Sequence, residues 1–342
     1  MHENTLKDLL LEQYSLDAVH IEFLSHSSKM VYKIYGTHKE EYIFDIYFPG
    51  EYEDNTANDE NRKYATPEAV ASEARILQIV SEKCPEFKSP SPIRNKDGLL
   101  LSSITVNGTS SPCLLRNFIV GSQLVKGSEQ YARQAYQAGR VAARFHHCSN
   151  WHLQNEYRHR PVHRQNYVRN IIHTIGRGID AGTITRTQYA LIKEALEFVI
   201  ERMGEMDQLP EALGIVHTDL RDANLLWDGE NVIPIDFGRC VYGYLLYDLG
   251  EMCAHMGGDD SDIPVQIMKG YHSIRKLTHD DIVSVEAFQM LFILSVIAEF
   301  ILQKDNFYVF KTVERLTETD LVHLLAGEPV IPHIRSAISS YE

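Results

Sequence analysis

Four residues between positions 215 and 238 have the side chains and the spacing that phosphoryl transfer requires: His217, Asp219, Asn224 and Asp236. The Asp219 carboxylate could accept the proton that a substrate hydroxyl loses, while Asn224 and Asp236 could supply oxygen ligands to magnesium ions that bridge nucleotide phosphates. Because Mg²⁺ keeps several of its water ligands, one amide and one carboxylate from the protein are enough. The segment predicts transfer of the γ-phosphate of ATP or GTP to a hydroxyl, with Mg²⁺ as the cofactor.

The elements around these residues support the same interpretation. Residues 213–216 are apolar and strand-like, and a D-G-E-N turn at positions 228–231 leads into a second short strand at 232–235. This hairpin would deliver Asp236 close to Asn224. Two metal ligands beside a carboxylate base are hard to explain as packing residues.

Two neighbouring side chains in this loop have less specific roles. His217 is predicted to hold the loop backbone by hydrogen bonds, and so to give structural support rather than take part in proton transfer. Arg221 could reach the transferring phosphate and offset its charge, although a surface arginine without a function explains it equally well.

The pattern of apolar residues divides the chain into a β-rich part and a helical part. Residues 21–48 have the composition of strands, and Thr66 starts a helix that runs to about Lys83 with Glu73 on its buried side. A hairpin and a further strand follow, up to Gly121. Helices are then predicted at residues 128–148, with Ser128 as the cap, and at 164–180, 185–206, 245–256, 262–275 and 280–303. This order predicts an α+β fold, in which a small antiparallel sheet carries one helix and a larger lobe is mainly helical.

Composition favours a soluble cytoplasmic protein. With 33 basic and 47 acidic residues the formal net charge is −14, so neither nucleic acid nor an anionic membrane is expected as a partner. The five cysteines show no C-x-x-C spacing, and no zinc site is predicted. No signal peptide is evident, and the apolar run from Met290 to Ala298 is too short to span a bilayer and predicts a buried helix. Both a monomer and a dimer are compatible with these features.

Motifs spread along most of the chain give it a family resemblance. They are G-R-V-A-A-R-F-H-H at 139–147, R-P-V-H at 160–163, H-T-D-L-R-D-A-N-L-L at 217–226, I-D-F-G at 235–238 and Y-G-Y-L-L-Y-D-L-G-E-M at 242–252. With these motifs the chain resembles the aminoglycoside phosphotransferase and choline kinase family, small-molecule kinases distantly related to protein kinases.

The resemblance implies a protein-kinase-like fold with two lobes. Residues 1–122 would form the nucleotide-binding lobe, and residues 123–342 a helical lobe with the catalytic loop and the substrate site. The resemblance implies that Asp219 is the catalytic base and that Asn224 and Asp236 bind Mg²⁺. It also implies that Asp248 braces the catalytic loop.

The sequence departs from the family in the first turn of the nucleotide lobe. The family usually has a turn of small residues or glycine over the phosphates, whereas residues 25–29 read S-H-S-S-K. The hydroxyl groups of Ser27 and Ser28, the backbone N–H groups and Lys29 could still contact the phosphates, so we expect the turn to remain a phosphate site.

A second departure affects the cation that contacts the α- and β-phosphates. The position that carries Lys or Arg in the family carries Asp45 here. Glu73 lies where the family's helix glutamate would meet that cation, and a buried Glu facing an Asp requires a raised pKa or another cation. Three explanations are open: an alignment of the motif that is off by one or two residues on this strand, substitution by Lys29 or Lys33, or nucleotide binding that is weak, altered or lost. We favour substitution, because a decayed kinase would not be expected to keep its base and metal ligands.

Three functional hypotheses follow from these features. The first is a kinase acting on a small molecule such as an aminoglycoside, choline or a homoserine-like compound. The second is a kinase-fold binding or regulatory protein with lost or altered catalysis, which Asp45 motivates. The third is a protein Ser/Thr kinase of the same fold.

The acceptor is predicted to bind in the helical lobe beyond Asp219. An amine-bearing acceptor would suit four acidic residues, although a solvated acidic loop explains most of them: Asp259, Asp260, Asp262 and Glu299. Three aromatic residues could stack on a ligand or simply pack: Trp151, Tyr157 and Tyr167.

Overall fold

The structure is a computed structural model and describes residues 3–26, 29–48, 63–106, 108–258 and 262–339. The chain divides into two compact units. Unit 1 comprises Met1–Gly121, Arg158–Pro161 and Ile235–Arg239, and unit 2 comprises Ser122–Tyr157, Val162–Pro234 and Cys240–Glu342. Unit 1 therefore contains the predicted nucleotide lobe together with two short segments from later in the chain, Arg158–Pro161 and Ile235–Arg239.

Unit 1 is built on a five-stranded antiparallel sheet. Its elements are α1 (Glu3–Tyr14), β1 (Ala18–His26), β2 (Lys29–Gly36), β3 (Glu41–Tyr47), α2 (Pro67–Lys83), β4 (Ser102–Val106) and β5 (Thr109–Asn117). The strand order is β1-β2-β3-β5-β4. In the register of β2 on β3, Lys29 lies opposite Tyr47, Val31 opposite Asp45 and Lys33 opposite Ile43. These elements confirm the predicted antiparallel sheet with one helix, α2, between β3 and β4, and α1 precedes the sheet in the chain.

Helix α2 begins where the sequence predicts. The Thr66 hydroxyl accepts a hydrogen bond from the Ala69 backbone N–H at 3.2 Å, and Pro67 occupies the first helical position. The helix turns Glu73 into the interior, where only 1% of its surface is exposed. The core of unit 1 on the sheet and α1 includes Leu6, Leu10, Ile34, Phe44, Ile46 and Leu115.

Unit 2 is mainly helical. Its helices are α3 (Tyr131–His152), α4 (Gln165–Ala181), α5 (Arg186–Met206), α6 (Leu246–Met252), α7 (Asp262–His272), α8 (His279–Phe300), α9 (Phe307–Arg315), α10 (Leu321–Leu325) and α11 (Ile334–Ser339). One small sheet has the order β10-β9-β6, from β6 (Ser122–Gln123), β9 (Leu225–Trp227) and β10 (Val232–Pro234). The other has the order β7-β11-β8, from β7 (Val162–His163), β8 (Leu213–Val216) and β11 (Val241–Tyr244). The predicted β9–β10 hairpin is present.

Two predicted boundaries are wrong. Ser128 does not cap α3, because its backbone N–H donates to the Val125 carbonyl and its own carbonyl accepts from the Tyr131 N–H, which makes two consecutive turns. The helix begins at Tyr131 with no side-chain cap. The strand predicted to continue to Gly121 ends at Asn117.

Helices α3 and α7 cross with their backbones in contact. A Cβ atom at Gly139 would lie 2.0 Å from the Ile267 carbonyl oxygen, and a Cβ atom at Gly270 would lie 1.9 Å from the Tyr136 carbonyl oxygen. Because no side chain fits at either position, glycine is required for this approach. The crossing fixes α3, which carries His146 towards the catalytic loop.

Helix α8 is the one helix in the described parts of the chain that is long and apolar enough to cross a membrane. More than half of its most apolar 18-residue window, 56%, is buried inside the protein, as in the core helix of a soluble domain. Met290, Leu291, Leu294 and Ile297 are buried. The helix predicted from the apolar run is therefore a core helix of unit 2.

Candidate active site

Lys29 lies at the start of β2, within a group of carboxylates in unit 1. Its Nζ is 3.1 Å from Asp236 Oδ1, 3.8 Å from Glu73 Oε1 and 3.7 Å from Asp45 Oδ2. The Tyr47 hydroxyl, on the neighbouring strand, donates to Glu73 Oε2 at 3.0 Å. Lys29 thus joins the buried glutamate of α2 to one of the two predicted metal ligands.

The surroundings of Lys29 keep it charged. Burial alone would lower its pKa, but the negative charges of Asp236, Asp45 and Glu73 raise the pKa of Lys29 well above its ordinary value. Burial raises the pKa of Glu73, and the Lys29 ammonium opposes that shift. A permanently charged ammonium is the form that a phosphate would need.

Asp45 has a second cation of its own. Arg116 on β5 donates from Nε to Asp45 Oδ2 at 2.8 Å, and both side chains are buried. The sequence predicted that a buried Glu73 near Asp45 would need another cation, and the structure supplies both Lys29 and Arg116. No Lys or Arg lies between residues 42 and 48, so an alignment of the motif shifted by one or two residues does not supply the missing cation.

Lys33, the other lysine considered as a replacement, takes no part in this group. Its Nζ is 2.8 Å from Glu41 Oε1 and lies 3.9 Å from the centroid of the Phe118 ring. Of the two lysines, Lys29 is the one that contacts Glu73. The two serines that precede Lys29, which were also predicted to contact the nucleotide, lie outside the described residues.

Asp236 is held by the segment that follows it. Its backbone φ is +63°, a left-handed value that is uncommon for a residue with a side chain. A 3₁₀ turn at Phe237–Arg239 comes next, and Arg160 anchors it by donating to the Gly238 carbonyl at 2.5 Å and to the Ala69 carbonyl of α2 at 3.0 Å. The Asp236 side chain keeps 38% of its surface exposed, so a metal ion can reach it.

Asp248, which the resemblance predicts to brace the catalytic loop, contacts the backbone of the loop that contains His217. This buried carboxylate accepts hydrogen bonds from the backbone N–H groups of His217 at 2.9 Å and Thr218 at 2.8 Å. His146 Nε2 lies 2.9 Å from Asp248, and His146 Nδ1 lies 2.9 Å from the Tyr271 hydroxyl. Burial lowers the pKa of His146 although Asp248 opposes that shift. The neutral ring therefore donates to Asp248 and accepts from Tyr271.

The predicted base and its neighbours lie in the same loop. Arg221 Nε is 3.0 Å from Asp219 Oδ1, so the arginine contacts the base itself. The Asn224 side chain donates from Nδ2 to the Asp219 backbone carbonyl at 3.0 Å. The amide oxygen of Asn224 is then the group offered to a metal ion. The His217 ring is buried and packs edge-on against Phe145, with ring centroids 6.3 Å apart, and its predicted hydrogen bonds to the loop backbone stay a prediction.

Replacing Asp248 by alanine is expected to lower the free energy of unfolding by at least about 3 kcal/mol, because three donors lose their acceptor and each loss costs about 1–3 kcal/mol. Urea-induced unfolding at pH 7 measures this change. The matched control is Glu201→Gln, an exposed acid on α5 whose replacement should change stability by no more than about 0.5 kcal/mol. Equal stability of the two variants would contradict the bracing role.

Among the described residues, two sets of side chains could hold a cation. Asn224, in unit 2, and Asp236, in unit 1, offer the oxygen ligands that Mg²⁺ prefers, and their joint action stays a prediction. In the second set, each of Asp219, Glu251 and His255 offers one atom, and these atoms lie within 4.8 Å of one another. The second set includes an imidazole nitrogen, which suits Mg²⁺ poorly.

The sequence analysis did not identify four residues that lie in the Lys29 group or beside Asp219. Tyr47 and Arg116 join the group only through the register of neighbouring strands, which the residue pattern does not reveal. Glu251 and His255 did carry a signal, since they follow Asp248 by three and seven positions and so share one helical face with it.

The acceptor residues proposed from the sequence are only partly described. Asp262 and Glu299 are exposed, and Asp259 and Asp260 lie outside the described residues. The other candidates were aromatic. Tyr167 stacks on the His163 ring at 3.8 Å, while Trp151 and Tyr157 line a cavity of about 390 Å³ that does not include Asp219.

Comparison with known proteins identifies a family for this chain. A family model described as the phosphotransferase enzyme family matches residues 20–277. A search of curated proteins finds no match.

Solved structures show the same fold at low sequence identity. A microcompartment-associated aminopropanol kinase is 18% identical, with a TM-score of 0.72 over 98% of both chains. The amicoumacin kinase hAmiN, in complex with AMP-PNP, Ca²⁺ and Ami, is 15% identical, with a TM-score of 0.68 over 97% of this chain and 96% of that one. A spectinomycin phosphotransferase in complex with ADP and spectinomycin is 13% identical, with a TM-score of 0.60 over 95% and 97%. These likenesses confirm the predicted protein-kinase-like fold.

Proposed function

This chain belongs to the phosphotransferase enzyme family, and on that premise we propose that it is a Mg²⁺-dependent kinase acting on a small molecule. It transfers the γ-phosphate of ATP or GTP to a hydroxyl group of that molecule. The solved structures with the same fold include kinases named for aminopropanol, amicoumacin and spectinomycin, which supports a small-molecule acceptor. Because nucleoside triphosphates are cytoplasmic, we expect the protein to act in the cytoplasm.

The observation that carries this proposal is the position of Lys29. A kinase of this fold needs a lysine that contacts the nucleotide phosphates and pairs with a helix glutamate. Lys29 makes the pair with Glu73 and also contacts Asp236. Asp45, which motivated the hypothesis of lost catalysis, is paired with Arg116. These ion pairs support a phosphate site whose positive charge comes from a position other than that of Asp45.

In the proposed reaction, Asp219 accepts the proton of the acceptor hydroxyl as the hydroxyl oxygen bonds to the γ-phosphorus. The bond from the γ-phosphorus to its bridging oxygen breaks, and the nucleoside diphosphate leaves with the electron pair. Lys29 orients the α- and β-phosphates, and Arg221 offers positive charge beside the base. Asn224 and Asp236 would hold Mg²⁺, which when bound neutralises charge on the phosphate oxygens.

Thermal unfolding with nucleotide tests this proposal. Mg·ATP or Mg·GTP is expected to raise the unfolding temperature, because a ligand at 100 times its Kd stabilises the folded state by about 2.7 kcal/mol. The preferred nucleotide should give the larger shift, and EDTA should remove most of it. The matched control is the nucleoside without phosphates. No shift at millimolar nucleotide would contradict the proposal and favour a binding or regulatory protein.

A further inference from the structure

Asp45 is a buried carboxylate on β3 that lies between two cations. In the sheet it pairs with Val31 of β2 on one side and with Leu114 of β5 on the other. Lys29 and Arg116 each lie two positions from those partners, so strand alternation places both on the face of the sheet that carries Asp45. Asp45 Oδ2 is 3.7 Å from Lys29 Nζ and 2.8 Å from Arg116 Nε. One carboxylate therefore links the proposed phosphate cation to a second buried cation.

A role in the fold alone does not explain this carboxylate. The exposed fraction of Asp45 is 0%, and its second oxygen, Oδ1, accepts no hydrogen bond from any residue in the described part of the chain. Buried ion pairs are often no more stabilising than apolar residues of the same volume, because the charges lose their hydration. The charge of Asp45 is therefore expected to serve a further group, and Lys29 is its second ion-pair partner.

The three carboxylates around Lys29 hold it unequally. Burial would lower the pKa of Lys29. Of the groups that raise this pKa, Asp236 contributes most, Asp45 comes second and Glu73 contributes less. Glu73 Oε1 is 3.8 Å from Lys29 Nζ, and its other oxygen accepts a hydrogen bond from the Tyr47 hydroxyl. Asp45 is thus the main support of the Lys29 ammonium besides Asp236.

Asp236 is the carboxylate that Lys29 has to share. It is the proposed metal ligand, and its side chain is 38% exposed. A divalent cation on this carboxylate would take part of its charge from Lys29 and would repel the ammonium. Asp45 has no exposed surface, so it stays out of reach of the metal and keeps its charge beside Lys29. All of these groups belong to unit 1.

We propose that Asp45 is a positioning residue for nucleotide binding: it holds the Lys29 ammonium at the phosphate site when Asp236 binds the metal ion. Arg116 supports this role, because it offsets the repulsion that Asp45 exerts on the Glu73 carboxylate. The inference rests on the proposed kinase function. It gives a role in that function to the residue that first suggested lost catalysis.

Isothermal titration with a nucleoside diphosphate, in Mg²⁺ and in EDTA, tests this inference. The probe is ADP or GDP, whichever binds the wild type more tightly. Asp45→Asn removes the charge but keeps an oxygen that can accept from Arg116. It should raise Kd in Mg²⁺ by about 10-fold, because unit charges about 4 Å apart attract each other strongly at the effective dielectric constant of a protein. Kd in EDTA should not rise, because Asp236 then keeps its full hold on Lys29.

Three further variants separate positioning from other effects. Glu41→Gln removes the carboxylate that pairs with Lys33 on the same two strands, and it should match the wild type in both solutions. Asp45→Glu keeps the charge and should keep most of the preference for the magnesium complex. In a Lys29→Met background, Asp45→Asn should cause no further rise in Kd, because Asp45 acts through Lys29.

Three other results for Asp45→Asn would overturn the inference and leave the kinase function standing. A Kd that rises equally in Mg²⁺ and in EDTA would mean that Asp45 supports only the fold. A Kd that falls in both solutions would mean that its charge merely repels phosphate, and an unchanged Kd would mean that Lys29 does not need it. If wild-type protein binds neither diphosphate in either solution, the proposed function itself fails, and the inference fails with it.

Discussion

Replacement of Asp219 by asparagine is expected to lower kcat by about 10²–10⁴-fold, the usual contribution of a positioned general base. Asparagine keeps the shape of the side chain and its contact with Arg221 Nε, which lies 3.0 Å away in the native protein. The amide oxygen can no longer accept the hydroxyl proton. Nucleotide binding should be retained, because the phosphate contacts are assigned to other residues. The loss is measured as kcat at saturating Mg·ATP and acceptor.

A second aspartate of the same loop provides the control for this variant. Asp222 accepts a hydrogen bond from the Tyr131 hydroxyl at 2.7 Å, and its replacement by asparagine leaves an oxygen that can still accept. Asp222→Asn should therefore keep nearly full turnover. Equal loss in the two variants would mean that the loop needs its charge rather than a base at Asp219.

Replacement of Lys29 by methionine is expected to lower kcat/KM for the nucleotide by about 10²–10³-fold, because one preorganised positive donor to the phosphates is lost. The matched control is Lys33→Met, a lysine of the same strand that pairs with Glu41. That variant should stay within a few-fold of the wild type. Isothermal titration with Mg·ATP measures the nucleotide affinity of each variant, and steady-state kinetics measure its kcat/KM. If Lys33→Met is the variant that loses nucleotide affinity, the assignment of the phosphate cation is wrong.

Loss of Lys29 should also destabilise the fold, and this effect has to be separated from the effect on catalysis. Removing one partner of a buried ion pair costs about 3–5 kcal/mol, since the remaining charge is left uncompensated. The double variant Lys29→Met/Glu73→Gln removes a charge of each sign from this buried group. The double variant should recover much of the stability while nucleotide affinity stays low. Recovery of affinity together with stability would show that Lys29 acts through the fold alone.

The choice between Lys29 and Lys33 illustrates what the sequence could not decide. The two lysines are separated by an even number of positions on β2, so strand alternation places both on the same face of the sheet. The register then decides which one reaches Glu73: Lys29 lies opposite Tyr47, whereas Lys33 lies opposite Ile43, two positions from Glu41. Register depends on side chains of other strands, and no local pattern reports it.

Features set by local signals were predictable. The Thr66 cap with Pro67 after it placed α2 and so turned Glu73 inwards. The apolar entry at residues 213–216 and the turn at 228–231 predicted the strands on either side of the loop that contains His217 and Asp219. The resemblance supplied Asp248 as its brace, and the structure has the corresponding hydrogen bonds to the loop backbone.

Features that depend on competing local signals were predicted less well. Ser128 has the side chain of a helix cap, but its backbone groups are used in two consecutive turns, so α3 starts three residues later. Nothing in the sequence around Arg116 distinguishes it from other strand residues. Only the pairing of β5 with β3 brings it to Asp45. The partner of Arg116 lies on another strand, whereas the partners of Ser128 are nearby backbone groups of Val125 and Tyr131 whose turns the residue types do not reveal.

Transfer of radiolabel from [γ-³²P]ATP tests the central claim most directly. Wild-type protein and Asp219→Asn are incubated with Mg²⁺ and a panel of small-molecule alcohols that includes aminoglycosides, and the label is counted separately in the small-molecule and protein fractions. We predict label in the small-molecule fraction with the wild type and at least about 10²-fold less with Asp219→Asn. Label that appears only in protein, or equal transfer by both proteins, would contradict the account.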